Sequence, residues 1–303
     1  MHPDASVVIA HLSDSHLLAD GARLAGLIDT EGHLRDTAVR LRIAAAGAQA
    51  IVVSGDVADL GEPGAYALAR DILEPVAADL GAPLIWTAGN HDERPAMRAA
   101  LALPGAPLDP VDSIVEVDGL RIVALDSSLP GWHHGGFDEG QAEWLAAALA
   151  DPPALGCVLV MHHPPLPYRT RLMRLLEFRD EQRLTEVLDG ADVRAILSGH
   201  LHINGSGAFA EIPVVLAGAT SYADDLAGPP PAMHGIDATQ SFNLVEVYPD
   251  AIAHSVVPAL PHESRETVTT EIARGVAALD ETERRDRFSR KPVAPDAHRP
   301  VAP

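Results

Sequence analysis

The chain is poor in cysteine, in aromatic residues and in positive charge, and each shortage removes a class of protein. Its 303 residues include one cysteine, so no intramolecular disulfide can form and nothing calls for an oxidising compartment. That residue, Cys157, stands inside the apolar run Cys157-Val158-Leu159-Val160-Met161 and reads as a buried small hydrophobe rather than a reactive thiol. Lysine and arginine number 22 against 43 acidic residues, for a formal net charge of −21. Such a surface repels nucleic-acid backbones and anionic membranes, which argues against a long polyanion as substrate; a small anion can still be captured by local cations inside a cleft. No apolar run approaches the roughly 20 residues that span a bilayer. The N-terminus lacks a basic stretch followed by sustained apolar sequence, and Val7-Val8-Ile9-Ala10 reads as a core strand rather than a signal peptide. These features predict a cytoplasmic protein with no membrane insertion.

What is present is a hydrophobic fraction of 47%, enough for a substantial core. Strand and helix signals alternate through the first half: strand 7–12, helix 31–46, strand 50–54, helix 65–80 and strand 84–88. Pro75 is expected to kink or divide the second helix. A hairpin around Asp118-Gly119 joins strands 114–117 and 120–125, a helix covers 138–149, and strands follow at 157–161, 195–197, 214–217, 242–247 and 252–257. Helix–strand alternation followed by meander-like strands implies two packed sheets with helices outside. Residues 1–260 read as one domain. Residues 261–303, where apolar periodicity fades, read as a peripheral or disordered tail with a helix near Val268 to Leu279.

Five short polar islands each follow an apolar strand: Asp14-Ser15-His16, Gly55-Asp56, Gly89-Asn90-His91-Asp92, His162-His163-Pro164 and Gly199-His200-Leu201-His202. Ligand groups beyond the carboxyl ends of strands are the usual site architecture of open α/β sheets. Asp14 and His16 are two apart and can converge at a strand's end on one cation. Asp56, after a glycine that permits a sharp turn, can bridge two ions because a carboxylate has two oxygens. The sets that result are Asp14, His16, Asp56 and His202 for one metal, and Asp56, Asn90, His162 and His200 for the other. Nitrogen and oxygen donors without thiolate suit Fe, Mn, Zn or Co better than Ca or Mg. Two such ions about 3.5–4 Å apart activate water, orient a phosphate and neutralise charge developing on its oxygens. His91, beside ligand Asn90, is placed to give a proton to the leaving oxygen, and Asp92 to orient the His91 ring. Any one of these residues alone reads equally well as structural; the joint pattern does not.

The complete set, Asp14-x-His16, Gly55-Asp56, Gly89-Asn90-His91-Asp92, His162-His163 and Gly199-His200-x-His202, resembles the signature of the calcineurin-like metallophosphoesterases over about residues 8–202. That resemblance implies a four-layer α/β/β/α sandwich of two mixed sheets, a binuclear centre with the ligand roles above (Fe and Mn favoured), and a His91-type residue aiding leaving-group departure. Leu12-Ser13-Asp14-Ser15-His16-Leu17, Gly55-Asp56-Val57-Ala58-Asp59, Pro130-Gly131-Trp132-His133-His134-Gly135 and His162-His163-Pro164-Pro165 resemble the bacterial, actinobacterial-type class III cyclic-nucleotide phosphodiesterases. Hydrolysis of cyclic AMP or related cyclic nucleotides by a possible homodimer is what this implies, with Asn90, His91, His133 and His202 contacting substrate. His133 and His134 stay open between two readings: His133 reaching the nucleotide while His134 supports the loop, or both simply solvated. Asp59 and His163 are candidates for orienting ligands. Tyr222, Asp224 and Asp225 sit in a loop that can line the site, and Pro229-Pro230-Pro231 in a substrate lip or dimer contact. The rival readings are a glycerophosphodiesterase or broad small-diester hydrolase on the same fold and, from another class, a non-catalytic metal-binding scaffold.

Overall fold

The computed structural model describes residues 4–229, 232–263 and 265–290. The described residues up to Pro261 form one compact unit and those from His262 a second. Pro230, Pro231 and positions 291–303, which belong to the expected Pro-rich lip and tail, lie outside the described residues.

Thirteen strands are assigned among the described residues of the first unit, in two large sheets and a small ribbon. Strands β1 (Val7–Leu12), β2 (Ala50–Val53) and β3 (Leu84–Trp86) run parallel, with Ile9 opposite Ala50 and Ile51 opposite Leu84. In the second sheet an antiparallel hairpin, β4 (Ser113–Val117) and β5 (Leu120–Leu125), leads to β6 (Cys157–Met161) and β7 (Val193–Ser198), both parallel to β5. Strand β8 (Gly205–Phe209) forms the far edge, antiparallel to β9 (Ile212–Leu216), which lies parallel to β7. A two-stranded ribbon pairs β10 (Ala223–Asp224) with β11 (Gly235–Ile236). The chain then returns to the first sheet, where β12 (Ser241–Val247) lies antiparallel to β1 and to the edge strand β13 (Ile252–Pro258).

Period-two alternation assigns each strand's side chains to separate cores. Val7, Ile9, Ala50 and Val52 of the first sheet share one buried cluster with Ile122, Ala124, Val158, Val160 and Leu197 of the second, so the sheets pack face to face. On the outer face of the first sheet, Ala10, Leu12, Ile51 and Val53 meet α1 (Thr30–Ala44), α2 (Pro63–Leu80) and α3 (Arg94–Leu101). Outside the second sheet, Val123, Leu125, Leu159, Met161 and Ile196 meet α4 (Glu139–Leu149) and α5 (Glu181–Leu188). Helix, sheet, sheet, helix is the expected order of layers. No helix of the described residues is long and apolar enough to cross a membrane.

Local signals explain several element ends. The Asp29 side chain caps α1 by accepting the Gly32 N–H at 2.9 Å, one residue before the expected start. Asp138 and Gln141 form a reciprocal capping box at α4. In the second unit, α6 (Thr270–Ala277) is capped by Thr269 and falls within the expected stretch. Several elements escaped the sequence reading, among them α3, α5 and β8. Helix α3 buries Met97 and Leu101 together with Arg98, whose guanidinium donates to the Asp109 and Pro110 carbonyls, so a charge interrupts its apolar stripe. Helix α5 buries only Leu184 and Leu188, and β8 is a mostly exposed, glycine-rich edge.

One expectation is corrected. Pro75 does not divide α2, which runs unbroken from Pro63 to Leu80. Proline removes one N–H and crowds the preceding turn, but here it sits on the exposed face, where water can reach the carbonyl left without a donor. Buried Ile72, Leu73, Val76 and Ala77 hold the helix to the core from the other side. Pro75→Ala is therefore expected to stabilise the protein by about 1–3 kcal/mol. Urea denaturation checks this; a lower midpoint would show that the ring's own contacts are needed.

Candidate metal centre

All seven expected ligands sit just beyond the carboxyl ends of parallel strands, and hydrogen bonds stitch those ends together. Asp14 N–H donates to the Gly55 carbonyl at 3.1 Å, and Gly199 N–H to the His162 carbonyl at 3.1 Å. The sheets are tied to one another where Thr220 N–H donates to Ser13 and Ser221 N–H to Asp14, at 3.1 and 3.2 Å. Side chains turn inward because the backbone does: Asp14, His16, Asp56, His200 and His202 all have positive φ, between 41° and 70°. For residues with a Cβ this left-handed conformation costs about 1–3 kcal/mol each, a strain that clusters at functional sites. Two glycines allow the crossing strands to approach. A Cβ on Gly55 would lie 2.6 Å from the Gly89 nitrogen and 2.7 Å from His162 Nδ1, and one on Gly199 would collide with Ser13 and the Asp14 carboxylate.

The histidine tautomers follow from their partners. His162 Nδ1 is 2.8 Å from the Ser54 carbonyl, and His202 Nδ1 is 2.9 Å from the Tyr222 carbonyl. A carbonyl only accepts, so both Nδ1 atoms carry hydrogen. His16 Nδ1 is likewise 2.9 Å from the Asp59 carboxylate, which the hydrogen bond and charge of His16 hold below its usual range against the opposing effect of burial. All three histidines consequently direct Nε2 lone pairs into the site. Nε2 of His16 and Nε2 of His202 face each other at 3.1 Å, and His202 Nε2 is 3.5 Å from Asp14 Oδ1. Nε2 of His162 faces Asn90 Oδ1 at 3.2 Å and Asp56 Oδ2 at 3.3 Å. Asp56 Oδ2 is also 3.5 Å from His16 Nε2, so one oxygen stands between the two groups, while Oδ1 accepts the His91 N–H at 2.8 Å.

These atoms are acceptors facing acceptors in a buried place, an arrangement that is repulsive unless a cation lies among them. Among the described residues no lysine or arginine lines the cleft, so the cations the site's own groups can carry are protons. Burial alone would lower His162, yet the Asp56 carboxylate lifts it to about 9, and His16 is raised in the same sense by Asp59, Asp56 and Asp14. Burial would raise Asp56, but His162 and His16 hold it well below the usual carboxylate range. His200, pulled well down by burial and by His163 and His162, is neutral, and its buried Nε2 has no partner. An orphaned nitrogen beside converging lone pairs fits divalent metal ions. Asp14, His16 and His202 form one cluster of ligand geometry, with Asp14, Asp56 and His162 forming another.

The remaining expected residues divide. His91 lines the cleft, and its Nδ1 donates to the Asp59 carbonyl at 2.9 Å, which leaves Nε2 open. Asp92 does not orient the His91 ring. Its carboxylate instead accepts backbone N–H groups of Val57, Ala58 and Gly89 at 2.9–3.2 Å, tying the Asp56 turn to the Asn90 turn. Burial and the nearby Asp56 charge raise Asp92 to about 6. The orienting role falls to Asp59, which serves His91 through its carbonyl and His16 through its carboxylate.

His163 is buried between Ser127 Oγ, 2.9 Å from its Nδ1, and the His133 carbonyl, 3.3 Å from its Nε2, and so anchors the loop that carries His133. His133 accepts the Asn90 Nδ2–H at 3.1 Å on its Nδ1, and its ring centroid lies 5.3 Å from that of His91. His134 packs on Trp132 instead, with centroids 5.1 Å apart. The Tyr222 ring packs at a tilt against His202, with centroids 4.2 Å apart, and Asp224 lines the cleft; Asp225 is absent from that lining. Sequence reasoning passed over Met173, Leu176 and Met233, which complete the cleft's wall, because no local motif marks them.

Comparison with known proteins agrees with this geometry. Residues 7–204 match the family profile described as calcineurin-like phosphoesterase. The chain is 43% identical over 276 residues to a cAMP/cGMP dual specificity phosphodiesterase of Mycobacterium tuberculosis, covering 91% of this chain and 86% of that one. It is also 43% identical over 261 residues to a probable cyclic nucleotide phosphodiesterase of Rhodococcus erythropolis, covering 86% of each. Among solved structures, a dimetal phosphatase from Danio rerio superposes with a TM-score of 0.60 at 17% identity, covering 85% of this chain and 98% of that one, which speaks to the fold alone. The profile match over residues 7–204, together with this similarity along most of its length, makes the chain a member of the calcineurin-like phosphoesterase family.

Proposed function

We propose that the protein is a dimetal phosphodiesterase that hydrolyses 3′,5′-cyclic nucleotides, cyclic AMP foremost, to the monophosphate, with 2′,3′-cyclic nucleotides as further substrates. The observation that carries the reading is the placement of Asp56 Oδ2 between His16 and His162, with His91 beside it on the cleft. The similarity to relatives named for cyclic nucleotides supports the substrate class. Asp14, His16, Asp56 and His202 would hold one ion, and Asp56, Asn90, His162 and His200 the other. Fe and Mn are favoured over Zn and Co. The metals would supply charge neutralisation and activation of the attacking water. Retention of both ligand sets and of His91 argues against a passive scaffold. A cytoplasmic location and a homodimer belong to the same reading.

The chain's own groups do the rest. His91 gives the proton to the departing ribose oxygen as the phosphorus–oxygen bond breaks. Its Nδ1–H is committed to the Asp59 carbonyl, so the proton comes from Nε2. Asn90 donates its Nδ2–H to His133, which keeps its amide oxygen aimed inward. His133 thereby acts on Asn90, and with His202 it stands close enough to the reacting region to meet substrate.

Metal-supplemented enzyme should hydrolyse bis-p-nitrophenyl phosphate and cyclic AMP, and Asn90→Ala should lose metal-dependent turnover of both. His91→Ala should keep its metals and lose rate by about 100-fold or more on cyclic AMP, whose leaving group needs a proton, but far less on the nitrophenyl ester. Equal losses on the two would remove His91 from the acid role. Asp59→Ala should weaken metal binding about 10–100-fold by freeing the His16 ring, read by metal titration under a competing chelator. A metal must also displace the His162 proton, held up to about 9, so affinity should rise about tenfold per pH unit from 6.5 to 8.5 and level off above 9. Calorimetry in two buffers at pH 7 should show about one proton or more released on loading; none would contradict the assigned ligand.

A further inference from the structure

The lining of the cleft is of two chemical kinds. His16, Asp56, Asn90, His91, His200 and His202 are its metal-facing groups; Met173, Leu176, Leu201 and Met233 are its apolar ones. Met173 and Leu176 belong to a short helical turn that follows Tyr168, itself buried with its ring centroid 5.6 Å from that of His200. Met233 comes from the arm between β10 and β11, whose pairing places Gly235 opposite Asp224. Two segments distant in sequence thus supply an apolar face beside the most polar place in the molecule. Apart from the metal-facing set, the polar side chains on the lining are Tyr222, packed at a tilt against His202, and Asp224.

We propose that the Met173–Leu176–Met233 wall is the nucleobase subsite and that it holds purines by contact area, not by reading their hydrogen-bonding edges. The inference rests on the cyclic-nucleotide reading above. A phosphate fixed at the metal-facing groups leaves the attached nucleoside to fill the remaining space. The cavity of about 340 Å³ is of the size that holds a single small ligand. Unbranched methionine side chains adapt to a flat ring, and their sulfur atoms make favourable contacts with aromatic edges. Met173 is 9% exposed and Met233 40%, so one gives a fixed floor and the other an adjustable flap. A wall of thioethers and aliphatic carbons has no buried donor or acceptor to leave unpaired when adenine is exchanged for guanine, and strong discrimination needs such a group. The subsite therefore favours purine over no base, with little choice between purines.

Inhibition of bis-p-nitrophenyl phosphate hydrolysis by 5′-AMP, 5′-GMP and ribose 5-phosphate separates the base from the phosphate and sugar. In the wild type both nucleotides should inhibit about tenfold more tightly than ribose 5-phosphate, and cyclic AMP and cyclic GMP should differ in kcat/KM by less than about tenfold. Met233→Ala and Met173→Ala should each shrink the nucleotide advantage severalfold and leave inhibition by ribose 5-phosphate unchanged, while Met173→Leu restores it. Using Met233, which is largely exposed, keeps the test valid where Met173→Ala perturbs folding. An undiminished advantage in Met233→Ala overturns the proposal, as does equal inhibition by nucleotide and sugar phosphate. So does closure of the gap by Trp132→Ala, since Trp132 lines the separate groove with His133. A preference above about 100-fold for one purine would show Asp224 reading the base edge and overturn it too. Failure to hydrolyse any cyclic nucleotide would remove the functional reading and this subsite with it, whereas turnover without the methionine effect removes the subsite alone.

Discussion

Lone pairs that face one another across about 3 Å are the constraint on which this molecule is built. Nε2 of His16 against Nε2 of His202, and Nε2 of His162 against Asn90 and Asp56, cannot hydrogen-bond to each other in their neutral forms. Each is held there from behind, by the Tyr222 or Ser54 carbonyl or by the Asp59 carboxylate. The backs of the rings fix what the fronts present. Without a cation the fold carries that repulsion itself, relieved only by protons drawn onto His162 and His16.

The two sheets exist, in functional terms, to hold those backs in register. Asp14 and Asp56 end neighbouring parallel strands of one sheet, His162 and His200 neighbouring strands of the other. The face-to-face apolar cluster between the sheets fixes their separation and the hydrogen bonds from Thr220 and Ser221 fix their offset. Positive φ at five ligands is strain that such a rigid frame can sustain. Asp92 belongs to this framing. Its buried carboxylate gathers three backbone N–H groups and joins the Asp56 turn to the Asn90 turn, a task that sequence adjacency to His91 conceals.

Charge works at two scales. A net −21 sets the chain against long polyanions, while the concentrated ligand site creates a local demand for positive charge. The cleft sits where these meet, lined by cation-seeking groups together with methionine and leucine. A small anionic ligand with an apolar ring complements both kinds of lining; a phosphate backbone repeated many times complements neither.

Much of this was legible in the chain itself. Apolar runs and the islands after them determine the strands and the order in which donor residues follow them, because each island is a local feature: a strand, a turn, and donors within a few residues. Hairpin and capping residues mark their elements by the same local physics, as Asp118-Gly119 and Asp138 do. What the sequence could not reveal lies in contacts between segments far apart. Asp59 rather than Asp92 serves His91 because a carbonyl 32 residues away arrives at its Nδ1. Pro75 leaves α2 whole because packing on the opposite face outweighs a lost hydrogen bond. Met173 and Met233 come to line the same cleft as His16 and His202 only through the fold of the segments that carry them. Sequence determined which donors exist and at which strand ends; tertiary structure alone decided which atoms face one another, since distance between residues remote in the chain is set by packing and not by spacing.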